Sequence, residues 1–284
     1  MMEFIQFASQ YGLVINSLIP DRWVRVPTTD KPRSRNGAYF YARDYAVVQN
    51  WAQMDSAVVW QDKTERTPFD QAAISKRIEQ SRKEQAKQLS VARLKAAHKA
   101  RWIISQVTHE QHAYLDKKSF PESVGLVWRP DEDANLLVVP MYANREIVGC
   151  QLINRDGEKR FLTGQQTIGA EHVLGTSGID LWCEGYATGL SIHACLMAIK
   201  IPAKVHVCFS AGNLQKMASS GFVIADNDAS QTGQNAAQAT NLPWYMPDVA
   251  GQDFNDEYAH LGKFSAAMKL KQALIKKQHR HSTP

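Results

Sequence analysis

Between Leu181 and Asp228 short apolar runs alternate with stretches of helical character, and this alternation is the strongest pattern in the chain. It predicts strand 181–184, a helix from about Gly189 to Ala198, strand 205–210, a helix near 213–219, strand 222–226, a helix near 233–239 and a short strand around Trp244-Tyr245-Met246,. Strands and helices in turn imply a parallel sheet covered by helices. Upstream the period changes. Ile74, Ile78, Leu89, Ala96, Ala100, Ile103 and Val107 recur at near-helical spacing between Pro68 and about His109, which predicts a long helix or a helix pair,. Leu136 to Pro140 and Ile147 to Ile153 read as strands joined by a turn near Asn144, and Asn154-Arg155-Asp156-Gly157 is a further turn signal,. At the front, Trp23-Val24-Arg25-Val26 and Ala38-Tyr39-Phe40-Tyr41-Ala42 flank the turn Lys31-Pro32-Arg33-Ser34-Arg35-Asn36-Gly37, the signature of a small β-rich module,.

A chain of 284 residues exceeds the usual single-domain size,. The patterns divide it into a small β-rich amino-terminal module at 1–67, a basic helical connector at 68–110, a basic α+β subdomain at 111–176, the alternating α/β domain at 177–262 and a basic helical tail at 263–284. No apolar run reaches the ~18 residues of a membrane span. The start, Met1-Met2-Glu3-Phe4-Ile5, lacks the basic residues and apolar run of a secretory signal, so a soluble cytoplasmic protein without a membrane partner is expected,. Cys150, Cys183, Cys195 and Cys208 lie scattered in apolar surroundings without Cys-x-x-Cys spacing and read as reduced core cysteines; no zinc site is expected,. His279 and His281 belong to a basic tail.

The net charge of +5 is modest, but its distribution is uneven. Lys and Arg are dense from Lys76 to Arg101, and again from Lys263 to Arg280 with Lys269, Lys271, Lys276 and Lys277. Such runs suit a polyanion, and equally a solvated helix face. Arg22, Arg25, Arg33, Arg35 and Arg43 among Trp23, Tyr39, Tyr41, Trp51 and Trp60 suit single-stranded nucleic acid, or a core of aromatics with surface arginines,.

The chemistry concentrates where Leu181-Trp182-Cys183 runs into Glu184-Gly185 and Phe222-Val223-Ile224-Ala225 runs into Asp226-Asn227-Asp228. Both acidic groups then stand at the carboxyl ends of buried strands, where open α/β sheets bind ligands. Asp226 and Asp228 are two apart and face the same way in an extended segment. Mg²⁺ takes oxygen ligands from a few carboxylates and from substrate phosphates, so the expected chemistry is at phosphorus. An isolated Asp-x-Asp after a strand is also ordinary turn and helix-cap chemistry.

Ordered short motifs sharpen this. His112-Ala113-Tyr114-Leu115-Asp116-Lys117-Lys118, Leu136 to Pro140, Gln151-Leu152-Ile153, Gly157-Glu158-Lys159-Arg160, Glu184-Gly185-Tyr186-Ala187-Thr188, Ala211-Gly212-Asn213-Leu214, Asp226-Asn227-Asp228 with Gly233 and Ala236, and Asp253-Phe254-Asn255-Asp256 follow one another in order. In this series the chain resembles the Toprim-containing DNA primases of bacteriophages and plasmids, relatives of the bacterial replicative primase, from about residue 98 to 262. Asp21-Arg22 and Asn36-Gly37-Ala38-Tyr39 resemble, more weakly, the zinc-free front of some phage primases.

The resemblance implies an α/β fold with a Toprim parallel sheet and flanking helices, and an enzyme: a nucleotidyltransferase making short RNA primers on single-stranded DNA in the bacterial host cytoplasm. It implies Mg²⁺, with Mn²⁺ as a substitute and no zinc. Glu184 would be an acid/base or metal-site carboxylate, and Asp226 and Asp228 would hold the metal. Lys118, Lys159 and Arg160 would meet template or nucleoside triphosphate; Lys159 and Arg160 also fit as turn charges. Asp253 and Asp256 either extend the acidic site or cap the next helix. The chain has no Gly-x-x-x-x-Gly-Lys-Ser/Thr phosphate loop, so a helicase would be a separate partner, with the segment after Gly262 as its contact,. Two readings compete. One is a metal-dependent nuclease using the same carboxylates. The other is a non-catalytic single-stranded-DNA-binding accessory protein.

Overall fold

The computed structural model describes residues 2–30, 32–33, 35–42, 45–51, 53–54, 57–61 and 68–278. Lys31, Ser34, Arg43, His279, Arg280 and His281, which figure in the sequence reading, lie outside the described residues. Packing divides the chain into two units, Met1–Ala86 and Lys87–Pro284.

The first unit starts with helix α1 (Met2–Gln10), followed by strands β1 (Trp23–Val26), β2 (Gly37–Tyr41), β3 (Tyr45–Asn50) and β4 (Val58–Gln61), which pair antiparallel in sequence order. β3 is buried along its whole length because both faces are covered. Tyr39, Ala46 and Val48 pack with Phe4, Ala8 and Leu13 on one side, while Tyr45 and Val47 pack with Ile78 on the other. The period of two in β-strands sorts these residues. Helix α1 was not predicted: it is a nine-residue segment that folds because Phe4 and Ala8 find the sheet,. Most of the aromatics that suggested stacking on nucleic acid serve this core. Tyr39 is fully buried, Tyr41 and Trp60 pack beside it, and Trp23 packs on the other face. Trp51 is exposed, with the Arg25 guanidinium 3.8 Å above its ring.

A single helix, α2 (Pro68–Ser105), spans the division; the predicted helix ends there, and His109 lies in a strand. The second unit continues with β5 (Thr108–Gln111), α3 (Ala113–Lys117), β6 (Val124–Trp128), β7 (Leu136–Ala143), β8 (Glu146–Ile153) and β9 (Lys159–Phe161), an antiparallel sheet in sequence order. Ala96, Ala100 and Ile103 of α2 cover one face with Val138, Cys150 and Leu162; Tyr114 and Leu115 cover the other with Leu137, Val139 and Ile153.

A second, mixed sheet follows. Its strands are β10 (His172–Leu174), β11 (Ile179–Cys183), β12 (Ala203–Val207), β13 (Phe222–Ile224) and β14 (Trp244–Tyr245), and its helices α4 (Tyr186–Ala198), α5 (Ala211–Met217), α6 (Thr232–Ala239), α7 (Phe254–Leu261) and α8 (Lys263–Gln278). The spatial order is β10-β12-β11-β13-β14, parallel except for β10, which runs antiparallel to β12. The predicted sheet was parallel throughout; the added edge strand is three residues long and carries no periodic signal. Both faces are covered, which is why the strands read as continuous apolar runs. Leu181, Val205, Phe222 and Ile224 face Ile192, Phe254, Leu270 and Leu274, whereas Trp182, Val223 and Ala225 face Leu214, Ala218 and Ala237. The four cysteines are buried and unbridged. Among the described residues, no helix is long and apolar enough to cross a membrane.

The loop that joins the two sheets is held at several points. Asn213, buried at the start of α5, accepts from Gly169 N–H at 2.8 Å and donates to the carbonyls of Ala170 and Cys208 at 2.8 and 2.9 Å. His206 is bonded through Nδ1 to Glu171 at 2.6 Å and through Nε2 to Asp180 at 3.1 Å, with its ring stacked on Trp182 at 4.0 Å. Burial opposes charge on this imidazole, but the two carboxylates outweigh it and the net direction is upward. Asn213→Leu strands two buried carbonyls and also releases the Gly169 N–H, so a loss of roughly 2–4 kcal/mol is expected in urea unfolding,. A loss below ~1 kcal/mol would show that the side chain does not clamp the loop.

Candidate active site

Parallel neighbours deliver the acidic residues to one end of the mixed sheet. Glu184 follows β11, and Asp226 and Asp228 follow β13, the strand hydrogen-bonded beside it. Asp253 enters at the start of α7. Asp226 feels the charges of the other three, and Glu184 feels that of Asp228. Burial first, then Asp253 and Glu184, push the Asp226 carboxyl up to about 7, with Asp228 adding to this and the Lys159 ammonium opposing it. Asp226 Oδ1 is buried and has no hydrogen-bond partner. Burial and the Asp228 charge likewise raise Glu184, against Lys159 and a hydrogen bond from the Ala211 N–H.

Asp228 differs from the other two. Its carboxylate accepts from the Ser230 hydroxyl, from Thr232 N–H at 3.2 Å and from Gly233 N–H at 3.0 Å, and these bonds hold it below the usual carboxylate range. It therefore closes the first turn of α6, as the helix-cap reading allowed. Gly233 lets that helix press onto the strand end: an added Cβ would lie 2.5 Å from the Asp226 carbonyl oxygen and 3.0 Å from its nitrogen. Asp253 and Asp256 form a capping box at α7, with Asp256 N–H donating to Asp253 at 2.9 Å and Asp253 N–H to Asp256 at 3.1 Å. Asp253 thus caps the helix, as one of its two sequence readings had it, and its charge also acts on Asp226.

The basic residues separate. Side chains alternate along β9, so Lys159 and Phe161 share a face and Arg160 has the other. Lys159 acts on Glu184 and Asp226, and Phe161 packs edge-to-face on Phe209 with ring centroids 6.2 Å apart. Arg160 instead reaches Glu158 at 3.4 Å and lines a groove with Asn135, Leu152 and Arg155. Lys118 stands 3.9 Å from Asp256, and its carbonyl accepts from Asn255 at 2.9 Å.

Several motif residues act one step back. His112 caps α3, its Nδ1 accepting from Tyr114 N–H at 3.1 Å while Nε2 meets the Asn135 carbonyl at 3.2 Å. That cap sets Tyr114, whose buried hydroxyl has no partner and whose ionisation is pushed upward by burial and by Asp253. The Thr188 hydroxyl, in the first turn of α4 after Glu184, is likewise buried and unpartnered. Sequence reasoning singled out neither hydroxyl; their only signal was membership of a motif.

The donor set consists of hard oxygens, and the orphaned Asp226 Oδ1 is an acceptor awaiting a cation or a donor, which fits a magnesium ion. Among the described residues, no three or more His, Cys, Asp or Glu side chains are gathered into a ready ligand set. Two carboxyl groups with raised affinity for a proton sit beside one ammonium group, a combination suited to acid–base work,.

No protein-family model matches the chain. Among solved structures it is similar to a chain of a bacteriophage T7 complex, described as lagging-strand DNA polymerase interacting with primase domains bound to an RNA/DNA hybrid and dTTP. The TM-score is 0.41 at 11% identity, over 60% of this chain and 92% of that one.

Proposed function

We propose that the second unit is a Toprim-type catalytic core and that the protein is a DNA primase, joining ribonucleotides on a single-stranded DNA template in phage or plasmid replication. One observation carries the reading. Glu184, Asp226, Asp228 and Asp253 converge electrostatically at the carboxyl ends of β11 and β13 and at the start of α7, with Lys159 beside them and Asp226 Oδ1 unpaired. In primer synthesis a 3′-hydroxyl attacks the α-phosphorus of a nucleoside triphosphate, its proton leaves, and pyrophosphate departs. Glu184 is the group to take that proton, because burial and Asp228 raise its affinity for one,. Asp226 and Asp228 would hold Mg²⁺ with help from Glu184, and the bound ion would supply charge stabilisation at the reacting phosphate. Lys159 would meet a phosphate oxygen and keep the carboxylate cluster from repelling its substrate. Arg160, on the opposite face of β9, is assigned to template contact outside this centre, and Lys118 to the rim near Asp256.

The experiment is direct synthesis. The full chain with single-stranded DNA, Mg²⁺ and labelled ribonucleotides should yield short oligonucleotides, and chelation should abolish them. Metal-dependent nicking of end-labelled DNA without nucleotides would replace this reading with a nuclease. DNA binding that is indifferent to chelator, with neither synthesis nor nicking, would replace it with an accessory protein.

A further inference from the structure

The hairpin of β8 and β9 presents an unusual row of side chains to the acidic end of the mixed sheet. Val139, Gln151 and Phe161 are cross-strand partners on three successive strands and therefore share one face,. Lys159 lies two residues before Phe161 on that face and acts on Glu184 and Asp226. Phe161 is 42% exposed, although its ring has an aromatic neighbour to pack on. That neighbour, Phe209, has φ of 64°, a left-handed conformation costly for a bulky residue,. Its N–H donates to the Glu184 carbonyl at 2.8 Å, so the ring under Phe161 is fixed to the residue at the centre of the cluster. Gln151, only 5% exposed, keeps its Oε1 without any hydrogen-bond partner. A buried amide oxygen left unpaired costs about 1–3 kcal/mol, and a ligand donor would recover it.

We infer that Phe161, Gln151 and Lys159 form a nucleobase subsite beside the carboxylates, where a base stacks on Phe161, Gln151 hydrogen-bonds the same nucleotide unit and Lys159 meets its phosphate. Every base has a π-face, so stacking here does not depend on sequence. A free nucleoside triphosphate and a template nucleotide offer the same chemistry, a base with a phosphate one sugar away. The inference rests on the phosphoryl-transfer reading for the role of the site, but base binding can be measured without turnover.

The test compares ligands with and without bases on the full chain. One arm titrates a short fluorescent oligodeoxynucleotide and its abasic counterpart by anisotropy, in Mg²⁺ without nucleotides; the other titrates ATP and inorganic tripolyphosphate by calorimetry. Phe161→Ala should weaken the base-bearing ligand roughly tenfold, the size of one base–aromatic stack, and leave its base-free counterpart unchanged. Phe161→Tyr should restore binding, Gln151→Leu should weaken base-bearing ligands alone, and Lys159→Ala should weaken both kinds. Loss confined to the oligonucleotide arm assigns the subsite to template, and loss confined to ATP assigns it to the incoming nucleotide. Equal weakening of base-bearing and base-free ligands by Phe161→Ala, or no weakening in either arm, overturns the proposal. A primase assay that fails while base-selective binding holds removes the synthesis reading and leaves the subsite.

Discussion

Glu184→Gln is expected to lower primer synthesis by roughly 10²–10⁴-fold while leaving the protein folded, because it removes a proton acceptor without removing an acceptor oxygen. The Ala211 N–H that donates to Glu184 still has an amide oxygen to meet, and the bond from Phe209 N–H to the Glu184 carbonyl does not involve the side chain. Template binding in Mg²⁺ should change little. Asp226→Asn is expected to fall into the same range, since it takes the unpaired oxygen's charge out of the site. Asp228 separates chemistry from folding. Asp228→Asn removes the charge and keeps one of the two acceptor oxygens that Thr232 and Gly233 use, so it loosens the first turn of α6 only in part, whereas Asp228→Ala frees that turn altogether, at a cost of roughly 1 kcal/mol,. Synthesis by Glu184→Gln within a fewfold of the parent rate would remove Glu184 from the proton-transfer role.

Asp226→Asn is also expected to make the protein more stable at neutral and alkaline pH. An aspartate carried from its ordinary 3.8 to about 7 on folding binds its proton more tightly in the folded state. Between those values the native state holds more protons than the unfolded one, so this contribution makes stability fall as pH rises from about 4 to about 7, then level off. The full shift corresponds to about 4 kcal/mol, and the neighbouring carboxylates share it, so on the order of 2–4 kcal/mol is expected,. Urea unfolding of parent and variant across that range measures it. The difference between the two proteins is the readout, because His206 gives a slope of the same sign: its raised imidazole stabilises fully at low pH and loses that contribution as pH climbs through its folded value,. Saturating Mg²⁺ should narrow the gap between parent and variant at alkaline pH, because a cation bound to the ionised carboxylates stabilises only the parent. A parent no less stable than Asp226→Asn above neutrality would mean that Asp226 ionises freely in the folded state.

The alternation of apolar runs and helices from Leu181 to Met246 was legible because each strand is covered on both faces and each helix must cover a strand. The sequence placed Glu184, Asp226 and Asp228 at strand ends for the same reason. It did not separate their roles: Asp226 is buried with an unpaired oxygen, while Asp228, two residues on, is bonded into a helix turn. Lys159 and Arg160 show the limit most plainly. They are adjacent in a Lys-Arg pair, and only the pairing of β9 with β8 gives one to the carboxylates and the other to a groove on the opposite face. The aromatics of the first unit were ambiguous because a ring suits a core as well as a base, and the sheet took most of them.

By itself, then, the sequence determined where strands end in carboxylates and which faces are apolar, since local periodicity and burial on two faces write those directly into residue order. The tertiary structure alone decided that β10 joins the mixed sheet, that Asn213 and His206 fasten the loop between the sheets, and that Lys159, Phe161 and Gln151 share one face of their sheet with Lys159 acting on Glu184 and Asp226. These are contacts across long stretches of chain. They depend on register between strands, and a shift of one residue would send each of those side chains to the other face.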